Sequence, residues 1–127
     1  MRLLLDTCIF LWYIEGDRRL SESVFDEIRN PANEVFLSSV SIWECIVKYQ
    51  VGKLSFPEPP AVYLPEQRRR HLISSLALDE NSVAHLVRLP LVHRDPFDRM
   101  LICQAIEHHL IIATADKTIR SYPVRTM

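Results

Sequence analysis

Carboxylates recur in this sequence where apolar runs break: Asp6 follows RLLL, Glu44 interrupts the greasy stretch from Ser38 to Gln50, Asp98 lies in HRDPFDRML, and Asp116 comes directly after LIIATA. Each has a purely local use. Asp6 and Asp116 suit helix N-caps. Ser41-Ile-Trp-Glu44 fits the S-x-x-E capping box. In Asp95-Pro96-Phe97-Asp98 the first acid fits an N-cap, the proline fits the first helical position, and Asp98 suits the positive end of the helix dipole. Capping leaves the surroundings of these acids unexplained. Glu44 sits on a helix that is otherwise mostly apolar, and Asp98 shares an inward line with Ile102 and Ala105. Carboxylates are rarely buried unless paired or bound to metal.

Convergence of Asp6, Glu44, Asp98 and Asp116 on one pocket accounts for that burial, and it carries a chemical consequence. Four carboxylates raise one another's pKa values unless a cation compensates. The ligands on offer are oxygens, with no Cys/His set at zinc spacing, so Mg²⁺ is favoured over Zn²⁺, with Mn²⁺ as its alternative. His108 and His109 do not alter this, because neighbours on a helix point about 100° apart. A Mg²⁺ site with few protein ligands suits activation of water for attack on a phosphodiester. Thr114, two residues before Asp116 and on the same side of the strand, is placed to hold a carboxylate or a metal-bound water, or serves as a β-branched strand filler. Lys48 and Arg99 are candidates for steering or neutralising a phosphate. Lys48 also stands four residues after Glu44, the favourable orientation for a helix pair worth about 0.2–0.5 kcal/mol.

The elements that position these acids follow from hydrophobic periodicity. RLLL at 2–5 reads as a strand buried on both faces, followed by a helix over Cys8 to Ile14 that Gly16-Asp17 closes. Ser21 caps a second helix with Val24, Phe25 and Ile28 on its buried face, stopped at Asn30-Pro31. EVFL at 34–37 is the next strand, and Ser38 to Gln50 is a helix ending before Gly52. Residues 53–60, with Pro57, Pro59 and Pro60, read as a loop, and Tyr63 to Arg70 as a weak helix spoiled by Pro65. ISSLAL at 73–78 reads as a strand, Glu80 to Arg88 as a helix capped by Asp79, and Asp95 to His109 as a long helix. LIIATA at 110–115 is the clearest strand, and VRT at 124–126 is a candidate edge strand. Strands alternating with helices imply a three-layer α/β/α sandwich around a central parallel sheet. Ligands of such sheets bind beyond the carboxyl ends of the strands, where Asp6 and Asp116 fall.

Composition bounds the function classes. With 127 residues, 48% hydrophobic and 24% charged, the chain reads as one domain over 1–127 with a substantial core, and disorder and fibrous classes are excluded. A formal net charge of −1 means that any contact with phosphate comes from local patches such as Arg18-Arg19, Arg68-Arg69-Arg70-His71 or Arg94/Arg99. Cys8, Cys45 and Cys103 form no C-x-x-C pair and sit among apolar neighbours, which implies core residues in a reducing compartment. The opening MRLLLDTCIFLWYI has one basic residue, an internal Asp6 and no cleavage site of small residues, so it reads as mature cytoplasmic protein. No apolar run reaches the roughly 20 residues of a membrane span.

The LLLDT opening, SSVSIWE with KYQVGKL after it, the HRDPFDRMLICQA helix and the closing IIATADKTIRSY together resemble the PIN-domain ribonucleases, specifically the VapC-type toxins of bacterial toxin–antitoxin pairs. The resemblance spans almost the whole chain. It implies the PIN-like α/β/α fold, endonucleolytic cleavage of RNA dependent on Mg²⁺ or Mn²⁺, and an acidic quartet at Asp6, Glu44, Asp98 and Asp116. Asp95 is then an N-cap or an auxiliary acid behind the quartet. The resemblance also implies a homodimer held inactive by a cognate antitoxin. Trp12, Tyr13 and Trp43 suit an interface or a stacked base as well as a core. Residues 57–70 are less typical of the family. Two rival readings remain, a receiver-like signalling domain and a catalytically silent α/β binding module whose acids only cap helices. The first lacks a second acid beside Asp6, which is followed by Thr7.

Overall fold

The computed structural model describes residues 1–127 and is built on a four-stranded sheet of order β3-β2-β1-β4 with every pair parallel. The strands are β1 (Arg2–Leu5), β2 (Glu34–Ser38), β3 (Ser74–Leu76) and β4 (Ile111–Ala113). Leu3, Leu4 and Leu5 of β1 are fully buried, each contributing about 1.5–3 kcal/mol of apolar burial. Strand side chains alternate between faces, and the alternation sorts the core into two. Leu3, Leu5, Val35, Leu37, Ile111 and Ala113 pack with Ile9, Phe10, Val24, Ile28 and Leu64 on one face. Leu4 and Ile112 pack with Leu101, Ile102, Cys103, Ala105 and Ile119 on the other.

The helices behind those residues are α1 (Thr7–Glu15), α2 (Glu22–Arg29), α3 (Ser39–Gln50), α4 (Pro60–Arg70), α5 (Glu80–Ala84), α6 (Pro96–His108) and α7 (Lys117–Arg120). The architecture is the three-layer α/β/α sandwich with a parallel sheet. Most boundaries are set by caps. Asp6, Ser21, Ser38, Asp79, Asp95 and Asp116 each accept a backbone N–H of the helix they open, and Gly16 closes α1 in the left-handed conformation at φ 65°. None of these helices is long and apolar enough to cross a membrane.

Several expectations are corrected. The cap of α3 is Ser38, so Ser41 lies inside the helix and no capping box forms with Glu44. Helix α4 begins at Pro60 and runs through Pro65. The hydrogen bond that Pro65 removes belongs to Ala61, which is exposed, while buried Leu64 anchors the helix to the core. Strand β3 spans three residues, and the helix expected over 80–88 ends at Ala84 and continues as a 3₁₀ turn, His85–Val87. The segment 124–126 forms a single parallel bridge, Ile112 to Thr126, rather than a full strand. Of the three cysteines, Cys45 and Cys103 are buried, but Cys8 is exposed on the first turn of α1.

Candidate functional site

The topology opens a crevice at one place. From β1 the chain moves away through β2 to β3, then crosses back to lay β4 against the other side of β1. The turns after β1 and β4 therefore diverge at their carboxyl ends, where ligands of open parallel sheets bind. A cavity of about 420 Å³ lies there, and Asp6, Glu44, Asp98 and Asp116 all line it, with Asp95, Lys48, Trp12 and His93. The four acids come from four elements: the end of β1, the middle of α3, the first turn of α6 and the cap of α7.

Local hydrogen bonds orient each acid. Asp6 is 5% exposed; its Oδ1 accepts the Ile9 N–H at 2.8 Å and its Oδ2 accepts the Thr114 hydroxyl. Glu44, 4% exposed, accepts the Thr7 hydroxyl at 2.7 Å on Oε1 and the Lys48 ammonium at 2.5 Å on Oε2. The Thr7 hydroxyl also lies 2.9 Å from that of Ser41. Asp116 accepts the Thr118 N–H at 2.8 Å on Oδ1 and the His93 ring at 3.1 Å on Oδ2. Asp98 Oδ2 stands 3.0 Å from the same His93 nitrogen. Capping thus explains one oxygen of Asp6 and of Asp116, but neither Glu44 nor Asp98 is an N-cap.

The charges are unequally tolerated. Burial, then the negative charges of Asp95 and Glu44, push Asp98 up to about 7. Burial also raises Asp6, against the opposing hydrogen bonds from Thr114 and Ile9. For Asp116 burial pushes upward too, but the Thr118 N–H and the His93 ring outweigh it and hold the carboxyl below its ordinary value. Partial burial pulls the Lys48 ammonium down, and the Glu44 hydrogen bond and charge more than offset it. The donor set is oxygen-rich and anionic, with the ligand atoms of His93, Asp98 and Asp116 within 4.8 Å of one another. Such a set fits a hard divalent cation.

The auxiliary positions divide. Thr114 sits beneath Asp6, also accepting the Asp116 N–H at 3.0 Å, and Asp95 is the N-cap of α6 with Oδ1 on the N–H groups of Phe97 and Asp98. Lys48 lines the cavity. Arg99 does not: its Nη1 donates to the Pro90 carbonyl at 2.8 Å and to the Tyr122 hydroxyl at 3.2 Å. Trp12 lines the cavity with the Arg19 guanidinium over its ring, whereas Tyr13 packs on Phe25 and His71, and Trp43 is 55% exposed with its ring edge-to-face on Phe97. Arg68 donates to the Ile73 carbonyl where α4 turns into β3, at the amino edge of the sheet. Sequence reasoning missed His93 and Thr7. The signal for Thr7 was its place beside Asp6; for His93 it was a lone imidazole two residues before the Asp95 cap.

A family model described as PIN domain matches residues 3–124. The chain is 40% identical to ribonuclease VapC16 of Mycobacterium tuberculosis over 58 residues, which is 46% of this chain and 41% of that protein, so the match spans less than half the length of that relative. Ribonuclease VapC22 of the same organism is 26% identical over 121 residues, 94% of this chain and 91% of that one. Among solved structures, VapBC2 from Rickettsia felis, bound to a DNA fragment from its promoter, matches at a TM-score of 0.74 and 17% identity, covering 100% of this chain and 98% of that one. DNA-bound VapBC from Salmonella typhimurium matches at 0.73 and 20%, covering 100% and 97%. At those identities the likeness establishes the fold.

Proposed function

This chain belongs to the PIN-domain family, and from that membership and the acidic cavity we propose that it is an endoribonuclease dependent on Mg²⁺ or Mn²⁺, the toxin of a toxin–antitoxin pair. The observation that carries the proposal is the meeting of Asp6, Glu44, Asp98 and Asp116, from four separate elements, on one cavity. The ribonuclease names of the two relatives support the substrate class. The toxin–antitoxin structures among its fold neighbours support the partner.

In this reading Asp6, Asp98 and Asp116 would hold the ion, and Glu44 would complete the negative field from the α3 side. When bound, a divalent ion supplies charge neutralisation for the phosphate and a lowered pKa for water. The chain's own residues do the rest. Thr114 and the Ile9 N–H fix both oxygens of Asp6, and Thr7 with Lys48 fixes both oxygens of Glu44. Lys48, its side chain 38% exposed, is the cation at the mouth that meets an incoming phosphodiester. Asp95 acts as an auxiliary residue by fixing the first turn of α6, which aims Asp98. The antitoxin and a second copy of the chain belong to the same proposal. Exposed Trp43, Val87, Leu91 and Val92 offer apolar surface for them.

A silent module with helix-capping acids is disfavoured by Glu44, which is buried in mid-helix without capping anything. The test is cleavage of single-stranded RNA by the pure protein with Mg²⁺, with excess chelator, and with Asp98→Asn. The expected result is loss of cleavage in chelator and a fall of more than about 100-fold in the variant, beyond the usual cost of losing a residue that only supports a ligand, with an unchanged circular dichroism spectrum. Cleavage that persists in chelator contradicts the proposal.

A further inference from the structure

His93 is the imidazole that lines the acidic cavity, and its proximity to Asp98 and Asp116 invites the reading that it is a third ligand. Its other contacts argue otherwise. The Asp95 backbone N–H, which can only donate, points at His93 Nδ1 at 3.2 Å. Nδ1 is therefore the acceptor, and the ring proton belongs on Nε2, the nitrogen that donates to Asp116 Oδ2 at 3.1 Å and stands 3.0 Å from Asp98 Oδ2. A nitrogen that carries a proton has no lone pair for a metal. Ligation through Nε2 would move the proton to Nδ1, against the Asp95 N–H. A metal-bound imidazole ordinarily has the opposite arrangement, with its second nitrogen donating to an acceptor.

The loop that carries the ring is anchored independently of the acids. The N–H groups of Val92 and His93 both donate to the Tyr122 hydroxyl oxygen, at 3.0 and 2.7 Å. Arg99 ties the same oxygen to the Pro90 carbonyl. Tyr122 is itself buried, 4% exposed, in the cluster of α6 and β4. The path from core to site runs through Tyr122, then the 90–93 loop, then the His93 ring, and ends at the two carboxylates.

We infer that His93 is a positioning residue: its Nε2–H donates to the Asp116 carboxyl and so fixes that carboxyl beside Asp98, whose Oδ2 lies 3.0 Å from the same nitrogen, and it does not ligate the ion. This rests on the reading of those two acids as ligands. The test uses Mg²⁺ alone as probe, by calorimetric titration of the wild-type chain, His93→Ala, His93→Gln and Asp98→Asn, together with ¹⁵N spectra of the His93 ring with and without Mg²⁺. Loss of the donor is expected to weaken Mg²⁺ binding about 10–100-fold in His93→Ala. His93→Gln, which keeps an N–H at similar reach, is expected to recover part of that loss. In the Mg²⁺-loaded wild-type protein the ring proton is expected to remain on Nε2. A proton found on Nδ1 after Mg²⁺ is added makes His93 a ligand and overturns the inference, as does Mg²⁺ affinity within twofold of wild type in both His93 variants. If Asp98→Asn binds Mg²⁺ as well as the wild type, the acid reading fails and takes this inference with it, a result told apart by that variant alone.

Discussion

Asp98 gains a proton on folding in the absence of metal. Its carboxyl moves from an ordinary value of 3.8 to about 7, through burial first and the charges of Asp95 and Glu44 next. Between those two values the folded chain binds more protons than the unfolded one, so stability falls as pH rises from about 4 to about 7. Asp6, also raised by burial, acts in the same direction. Urea melts in chelator at pH 5 and pH 8 are expected to show this loss, and Asp98→Asn is expected to remove much of it while remaining at least as stable as the wild type at pH 8. A variant that instead loses about 1 kcal/mol at pH 8 would mark Asp98 as a structural first-turn acid. Among single residues the sequence disclosed the acids, because Asp6, Asp98 and Asp116 sit at a strand end or helix start and Glu44 interrupts a mostly apolar helix. It could not disclose His93, whose role depends on a loop held by Tyr122 from 29 positions along the chain.

The elements are held in register by a few buried polar links. Gln104 of α6 is fully buried; it accepts the hydroxyl of Ser38, the cap of α3, and donates to the Ala77 carbonyl just past β3 at 3.3 Å. Two helices and an edge strand thus share one side chain. Replacing it with leucine keeps the volume and strands the Ser38 hydroxyl and the Ala77 carbonyl, for an expected loss of about 1–3 kcal/mol in urea melts. A loss below about 0.5 kcal/mol would show that water satisfies both groups. Caps and periodicity made β1, β2, α1, α2, α3 and α6 legible within a residue or two. They misjudged elements decided by tertiary contact. Leu64 carries α4 through Pro65, and β3 is short because it is the outer strand, with Ser74 and Ser75 exposed. The Ser41–Glu44 spacing imitated a cap because Ser41 and Glu44 both face Thr7 from one side of α3.

For the molecule as a whole, a net charge of −1 conceals a local concentration of acid. Acid gathers at the carboxyl ends of β1 and β4, while Arg69 and Arg70 lie exposed at the end of α4, toward the opposite edge of the sheet. The α/β/α architecture was legible from the alternation of strands and helices. The meeting of the four acids was an expectation that only coordinates could examine, because 110 positions separate the first from the last. On the function proposed above, the four acids meet in order to bind a divalent ion. The most direct measurement is anomalous diffraction from crystals of the protein grown with Mn²⁺. A manganese peak is expected between the carboxyls of Asp6, Asp98 and Asp116, with oxygens at about 2.0–2.3 Å and His93 outside the coordination sphere. A cavity without manganese at saturating concentration, or a peak seated only elsewhere on the molecule, would contradict it.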